Sequence, residues 1–423
     1  MMAWVRRWQA LALWRRVLVG LFAGVALGLL APAATAYIGF LGDLFVRLIR
    51  MLVVPIVFIS IASGVTALAD PRKLGAVGAR TVALFAFTTA CAVTIGMAAG
   101  LLVRPGDGAA IGTGEAFELG EPVPVYDQLM NIVPVNVVEA LAAGDMLAII
   151  FFSIAFGVAT VLAGEEGRPF AALLQSAARI LFRLVALVME FTPYGVFALI
   201  AVAVAQNGIA VFTNIGWLAL CVVIGVVAQI ALVHVPLLVL VARRQIGRFY
   251  RAAVDALAIA FATASSAATL PVALRVAIEK MQIDRGVAST VLPIGASIGK
   301  DGTAMYVGLL SIFSLQALSV TPDLPMLGIV LLTGALAAFG TAPIPSASLF
   351  MLAAVLASVG VSTAQTALVI GFVLPFDRLL DMTRTVASAS ANLTVTAAVD
   401  RRALAAGPPD AEPTGAATPV EES

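Results

Sequence analysis

FATASSAATLP at 261–271 and FGTAPIPSAS at 339–348 each interrupt a long apolar segment at its centre. The first lies within 250–280, the second within 325–360. Thr263, Ser265, Ser266, Thr269 and Pro271 cluster in one; Gly340, Thr341, Pro343, Pro345, Ser346 and Ser348 in the other. Such residues break helices. In hydrocarbon a broken backbone is tolerated only where it faces protein or a wet cavity. Basic residues decide how the two segments run, because Lys and Arg gather on the cytoplasmic side of membrane spans. Arg275, Lys280 and Arg285 flank the first segment, and Arg401 and Arg402 follow the last one. Lys300 is the only basic residue between Gly286 and Asp377. This pattern closes only if 250–280 enters from the cytoplasm and returns there, and 325–360 enters from outside and returns outside. The C-terminal half then reads hairpin, span, hairpin, span, an inverted repeat whose paired broken helices mark a solute site at the repeat interface.

The rest of the chain agrees. Apolar segments fall at 14–36, 38–67, 76–103, 136–163, 170–206 and 215–242, and again at 286–317 and 364–398. Several exceed the roughly 20 residues that cross the hydrocarbon layer, so tilts or breaks are expected. Arg6, Arg7, Arg15, Arg16, Arg72, Lys73, Arg80, Arg168, Arg243, Arg244, Arg248 and Arg251 occupy the expected cytoplasmic loops. The stretch from Pro105 to Asn136 is free of Lys and Arg, carries five acidic residues and should face outside. The expected fold is an all-α polytopic membrane protein with about eight transmembrane helices and two re-entrant helical hairpins. It should lie in the cell inner membrane with both termini cytoplasmic. MMAWVRRWQALALWRR reads as an anchoring first helix, and the small, polar tail at 403–423 as disordered.

Composition excludes several classes. With 61% hydrophobic and 12% charged residues and a mean hydropathy of +1.05, the partner of most of the surface is lipid. A net charge of +1 gives no basic field for nucleic acid. Cys91, Cys221 and the single histidine, His234, all lie in apolar runs and form no familiar zinc or haem constellation. The cysteines read as small core residues, and His234 as a hydrogen-bonded packing residue. No cofactor is implied.

The chemistry concentrates in the last span. Asp377, Asp381, Arg384, Ser388 and Asn392 step by four, three, four and four, which places them on one helical face between apolar flanks. Buried charges in a membrane helix are expensive unless they pair or meet a ligand. The planar fork of Arg384 suits a carboxylate, and Asp381, one turn away, suits an ammonium group. Acid and base on one face match a zwitterion with an additional carboxylate; an internal Asp381–Arg384 salt bridge is the plainer reading. In the seventh segment Lys300 and Asp301 sit between glycines and read as an unwound turn, either a fixed cation beside a carboxylate or a neutralised structural pair. Ser265, Ser266 and the 341–345 tip offer hydroxyls, backbone groups and helix ends to an anion. Asp43, Arg47 and Arg50 read as an interfacial or inter-subunit surface. A Ser–Lys hydrolase built on Ser265 or Ser266 with Lys300 lacks any accompanying oxyanion or peptide-docking signal.

With these residues in place, the chain resembles the dicarboxylate/amino acid:cation symporter family, which includes archaeal aspartate transporters and excitatory amino acid transporters. The likeness runs through RLIRMLVVPIVF (47–58), NIVPVN (131–136), GDMLAIIFFSIAFG (144–157) and TPYGVFALIA (192–201). It continues through SSAATLP (265–271), KDGTAMY (300–306), GTAPIPSAS (340–348) and DRLLDMTRT (377–385). The resemblance implies a homotrimer working as an elevator. Scaffold helices would lie at 1–75, the third span and outer loop at 76–135, further mostly scaffold spans at 136–245, and the transport core at 246–402. It also implies that Arg384, helped by Thr303, holds a side-chain carboxylate, that Asp381 and Thr385 meet an amino group, and that Ser266 and Ser388 meet the main-chain carboxylate. Ala264, Ser265, Ile344 and Ser348 would close around the solute, a small anion such as an acidic amino acid or related dicarboxylate, with the second hairpin as gate.

The departures from the family pattern bear on coupling. Asn-Met-Asp-Gly-Thr becomes Gly299-Lys300-Asp301-Gly302-Thr303, an Asn and an Asp late in the last span become Ser388 and Asn392, and an aromatic hydroxyl becomes Phe85. A further arginine expected at Ala264 or Met382 is missing. An ammonium about 4 Å from a sodium position would repel the ion by about 4 kcal/mol at an effective dielectric near 20. The expectation is that Lys300 stands in for bound sodium, so that coupling involving Lys300, Asp301 and Asp377 runs on protons or on neither ion. Sodium would find a remaining position only around Ser297, Asp301, Ala338, Thr341 and Asn392. An ordinary sodium-coupled symporter and a solute-gated anion channel are the alternatives.

Overall fold

The computed structural model describes residues 13–67, 71–109, 133–208, 211–341 and 347–400. The tail, most of the outer loop, and the 342–346 tip with Ile344 lie outside the described residues. Among the described residues the chain is helical, with no strand.

Helix α1 (Leu13–Leu30) ends in a short turn at Pro32–Ala34, and α2 (Thr35–Ala67) departs at a 119° bend. The break falls at Pro32, which has no N–H to continue the α1 ladder. Helix α3 spans Pro71–Val103, α4 Val137–Ala143 and α5 Met146–Leu162. Asn136 and Asp145 cap the last two by accepting backbone N–H groups. The apolar run at 170–206 is two helices, α6 (Arg168–Met189) and α7 (Thr192–Asn207), rather than one segment. Pro193 at the start of α7 enforces the break, and Arg16 Nη1 meets Glu190 Oε2 there at 2.7 Å. Gly20, Gly24 and Gly28 of α1 lie against the backbone of Pro193, Phe197 and Ala201 in α7, a spacing of small residues that lets two membrane helices touch along their backbones.

Helix α8 (Val211–Gln229) continues to Val241 through two π-helical turns, Ile230–His234 and Leu237–Val241. Helix α9 (Ile246–Thr263) and α10 (Ser266–Arg275, extended by a π turn to Lys280) form the first broken pair. Then follow α11 (Arg285–Ile298), α12 (Asp301–Ala317), α13 (Leu324–Phe339), α14 (Ala347–Ser358) and α15 (Thr363–Val399). The breaks therefore fall where the serine, threonine and proline clusters stand. Three described stretches, at 77–103, 168–188 and 212–241, are each long and apolar enough to cross a membrane alone, and the bent pair at 15–45 makes a fourth candidate. Other apolar helices, such as Leu324–Phe339 and Ser348–Ser358, are shorter.

Exposed side chains carry the composition outward. Phe22, Leu102, Leu162, Ile180, Leu187, Val227 and Leu232 are all exposed. A soluble monomer rarely shows so continuous an apolar surface. The inside is equally unusual: α12 and the second half of α15 are almost wholly buried, polar residues included. These two helices form the centre on which the site is built.

Candidate functional site

At the tip between α9 and α10 the chain reverses at Ala264, whose φ of 51° is left-handed. A side chain in that region is strained by roughly 1–2 kcal/mol. The turn is held from several directions. Ser265 Oγ accepts from Ala268 N–H, and the Ser265 carbonyl accepts from Thr269 N–H and Thr269 Oγ1. Arg378 Nη2 donates to the Thr263 carbonyl at 3.4 Å. The guanidinium missing at Ala264 and Met382 thus reaches the same tip from α15.

A second break separates α11 from α12 at Gly299–Lys300. Gly302, in the first turn of α12, sits so close to α15 that a Cβ there would collide with the Arg384 carbonyl. Its N–H, one of the donors that a helix start leaves without an intrahelical partner, goes to Ser388 Oγ at 3.0 Å.

The α15 stripe lies as the helical period predicts: Asp377, Asp381, Arg384, Ser388 and Asn392 are all buried. Arg384 donates from Nε and Nη2 to Asp381 Oδ1, each at 2.9 Å. Its Nη1 is 3.6 Å from Asp377 Oδ1 and makes no hydrogen bond. Tyr306 of α12 closes the other side, with the Arg384 Cζ 4.1 Å from its ring centroid. One guanidinium thus faces two carboxylates over an aromatic floor. The internal salt bridge is therefore present, and Nη1, on the Asp377 side of the guanidinium, makes no hydrogen bond. Thr385 Oγ1 donates to the Asp381 carbonyl on its own helix. Thr303 is half-buried on the same turn as Gly302. Ser348 is buried, and its hydroxyl has no partner among the described residues. Ser266 and Asn392 line one small cavity between α10, α11 and α15, with Thr269, Ala296 and Ala389.

Lys300 and Asp301 are not the pair that adjacency suggested. Lys300 is buried, its side chain makes no hydrogen bond or ion pair among the described residues, and it lies within electrostatic reach of Asp381. Neighbouring residues at a helix start project differently, so sequence adjacency did not bring the two charges together. Asp301 has other partners. Thr88 and Thr89 of α3 donate to Oδ1 at 3.0 and 3.3 Å. Gln229 Nε2 donates to Oδ2 at 2.9 Å, and His234 Nε2 at 3.0 Å. With the proton on Nε2, His234 Nδ1 accepts from Ser390 Oγ at 3.0 Å, and that hydroxyl contacts Tyr250 at 3.1 Å; the tautomer is assigned from this network. A single histidine in an apolar run carried no sign that its partner is an acid 67 positions away. Gln229 carried still less. A polar residue in an apolar helix was the only available signal, and it names no partner.

Three departures from the family pattern, Phe85, Gly299 and Asn392, form one packed group. Any side chain at residue 299 would run into the Asn392 amide and the Phe85 ring. With its amide oriented by hydrogen bonding, Asn392 donates to the carbonyls of Gly295 at 3.1 Å and Gly299 at 3.2 Å. Ser297 Oγ and Thr341 Oγ1 donate to carbonyls one turn back on their own helices, those of Pro293 and Ala337, and Ala338 is buried.

The sequence model of the sodium:dicarboxylate symporter family matches residues 13–402. The chain is 31% identical over 403 residues to the proton/sodium-glutamate symport protein of Bacillus caldotenax, covering 89% of this chain and 91% of that one. It is 32% identical over 408 residues to the C4-dicarboxylate transport protein of Anaeromyxobacter sp. (strain K), covering 93% and 90%. The proton/glutamate-aspartate symporter of Bacillus subtilis (strain 168) shares 32% over 377 residues, covering 88% and 90%.

Proposed function

The chain belongs to the sodium:dicarboxylate symporter family, and on that premise we propose that it is a secondary carrier of an acidic amino acid, aspartate or glutamate, with plain C4-dicarboxylates as weaker solutes. The observation that carries this reading is the buried Arg384, gripped by Asp381 on one edge while Nη1, 3.6 Å from Asp377, makes no hydrogen bond. A solute carboxylate meets the guanidinium bidentately as the salt bridge loosens. Asp381 then needs another cation, and a solute ammonium supplies it. A plain dicarboxylate has none, which is why the amino acid is favoured. Ser266, Ser388, Thr303, Thr385 and Ser348 add hydroxyls around the same space, and the tip at 264–265 closes it from the first hairpin.

The remainder of the reading follows the family architecture. About eight spans and two re-entrant hairpins sit in the inner membrane, with cytoplasmic termini. Three copies assemble through the N-terminal scaffold, and the unit at 246–402 moves as an elevator. Lys300 lies within electrostatic reach of Asp381, and transport is independent of sodium, run by protons or by exchange. Asp377, Asp381, Arg384 and Lys300 together are electroneutral without any added ion.

The test is uptake of labelled L-aspartate into proteoliposomes at fixed pH, with and without an inward sodium gradient, with succinate and L-glutamate as competitors. Uptake unaffected by sodium and inhibited more by glutamate than by succinate is expected. No uptake of any acidic solute would remove the carrier reading, and strictly sodium-dependent uptake would remove the coupling reading alone.

A further inference from the structure

The family name carries sodium, and Asp301 is the acidic residue in the seventh segment at which the resemblance would place it. A carboxylate offers about four acceptor positions. All four at Asp301 are taken by protein donors: Thr88 and Thr89 on Oδ1, Gln229 and His234 on Oδ2. The side chain is fully buried, as are all four donors. Sodium binds oxygen lone pairs and is repelled by N–H groups. Two of the four groups here, the Gln229 amide and the His234 imidazole, present N–H bonds where an ion would need oxygen. The residues present do not fit sodium at Asp301.

We propose that Gln229 and His234 are built-in occupants of the cation position at Asp301, and that they, rather than Lys300, keep sodium from this carboxylate. The placement is specific to α8. Gln229 closes its regular α-helical part, and His234 closes the π turn that follows. A π turn inserts an extra residue per turn and re-aims the side chains beyond it. Gln229 is fixed again by donating to the Thr88 carbonyl at 3.1 Å, and His234 by Ser390. Both donors are therefore held before any ion arrives, and sodium would have to displace two anchored groups. Lys300 makes no hydrogen bond or ion pair with Asp301 among the described residues; the four donors to Asp301 come from α3 and α8.

The proposal deepens the sodium-independent reading above and rests on it, but its test reads ion binding rather than transport. Purified protein in detergent is unfolded thermally in sodium chloride and in choline chloride of equal concentration at one pH. Four proteins are compared: the natural chain, the double variant Gln229→Ala with His234→Ala, Gln229→Glu, and Lys300→Met. The natural chain and Lys300→Met should show the same midpoint in both salts. The double variant should gain a sodium-specific rise of several degrees. Gln229→Glu, nearly the same shape with oxygen in place of N–H, should gain one even if the double variant does not fold. A sodium-specific rise in the natural chain overturns the proposal. So does its absence from Gln229→Glu, or from a folded double variant, and so does its appearance in Lys300→Met alone, which would return the exclusion to Lys300. Aspartate uptake by the natural chain, measured separately, reports on the carrier reading and does not enter these outcomes.

Discussion

Arg384 holds Asp381 through two donors to a single oxygen, both at 2.9 Å and three residues apart on α15. This arrangement leaves one Arg384 nitrogen, Nη1, buried without a hydrogen bond, 3.6 Å from Asp377 Oδ1. Removing one partner of a buried ion pair typically costs about 3–5 kcal/mol. Arg384→Ala is expected to abolish aspartate uptake, and Arg384→Lys to leave only a small fraction, because an ammonium cannot form the planar fork. Uptake in proteoliposomes checks this.

Asp381→Asn separates the two solute types. The amide no longer balances an ammonium, so aspartate affinity should fall at least tenfold, about 1.4 kcal/mol, while succinate affinity falls much less. Competition curves against one labelled solute give the comparison. An equal loss for both would remove Asp381 from ammonium recognition.

Lys300→Met takes away the buried side chain that, after Arg384, lies within electrostatic reach of Asp381, and should leave the carrier inactive or poorly active. Transport that is unchanged and insensitive to pH in this variant would show that the charge is not used.

Gly302→Ala tests the close approach of α12 to α15. The added methyl meets the Arg384 carbonyl, and overpacking of this kind costs about 1–3 kcal/mol. A lower unfolding midpoint together with weakened aspartate binding is expected, because the collision displaces the backbone of Arg384, the residue proposed to hold the solute carboxylate.

Asn392→Asp exchanges two donated hydrogen bonds for a carboxylate facing the Gly295 and Gly299 carbonyls. Leaving buried polar groups unsatisfied costs about 1–3 kcal/mol each. The midpoint should drop by several degrees in choline chloride, and sodium chloride should restore part of it. An unchanged midpoint would mean that the amide does not bridge those carbonyls.

The α15 stripe is legible in the residues alone because it depends only on local periodicity. Residues 377, 381, 384, 388 and 392 share a face of any straight helix. Apolar flanks require that face to be buried inside protein. The breaks at 264–265 and after Gly340 are legible for a similar reason, since serine, proline and glycine act on the backbone within one turn. The break at Glu190–Phe191 escapes a hydropathy reading, which averages over both sides of it, whereas Pro193 acts locally.

Whatever depends on neighbours along the chain can be read from the residues in order: an apolar surface for lipid, helices of given period, interruptions at given places, and enough motif to identify the family. The donors around Asp301 belong to a different class. Thr88, Gln229 and His234 lie 213, 72 and 67 positions away from it, on two helices whose approach to α12 is set by small residues such as Gly96 and Gly225 against Met305. Adjacency nominated Lys300 as the partner of Asp301, yet the fold sent their side chains to different neighbours. In a buried site the outcome is decided by which polar groups can satisfy one another without water, and that is a property of packed helices.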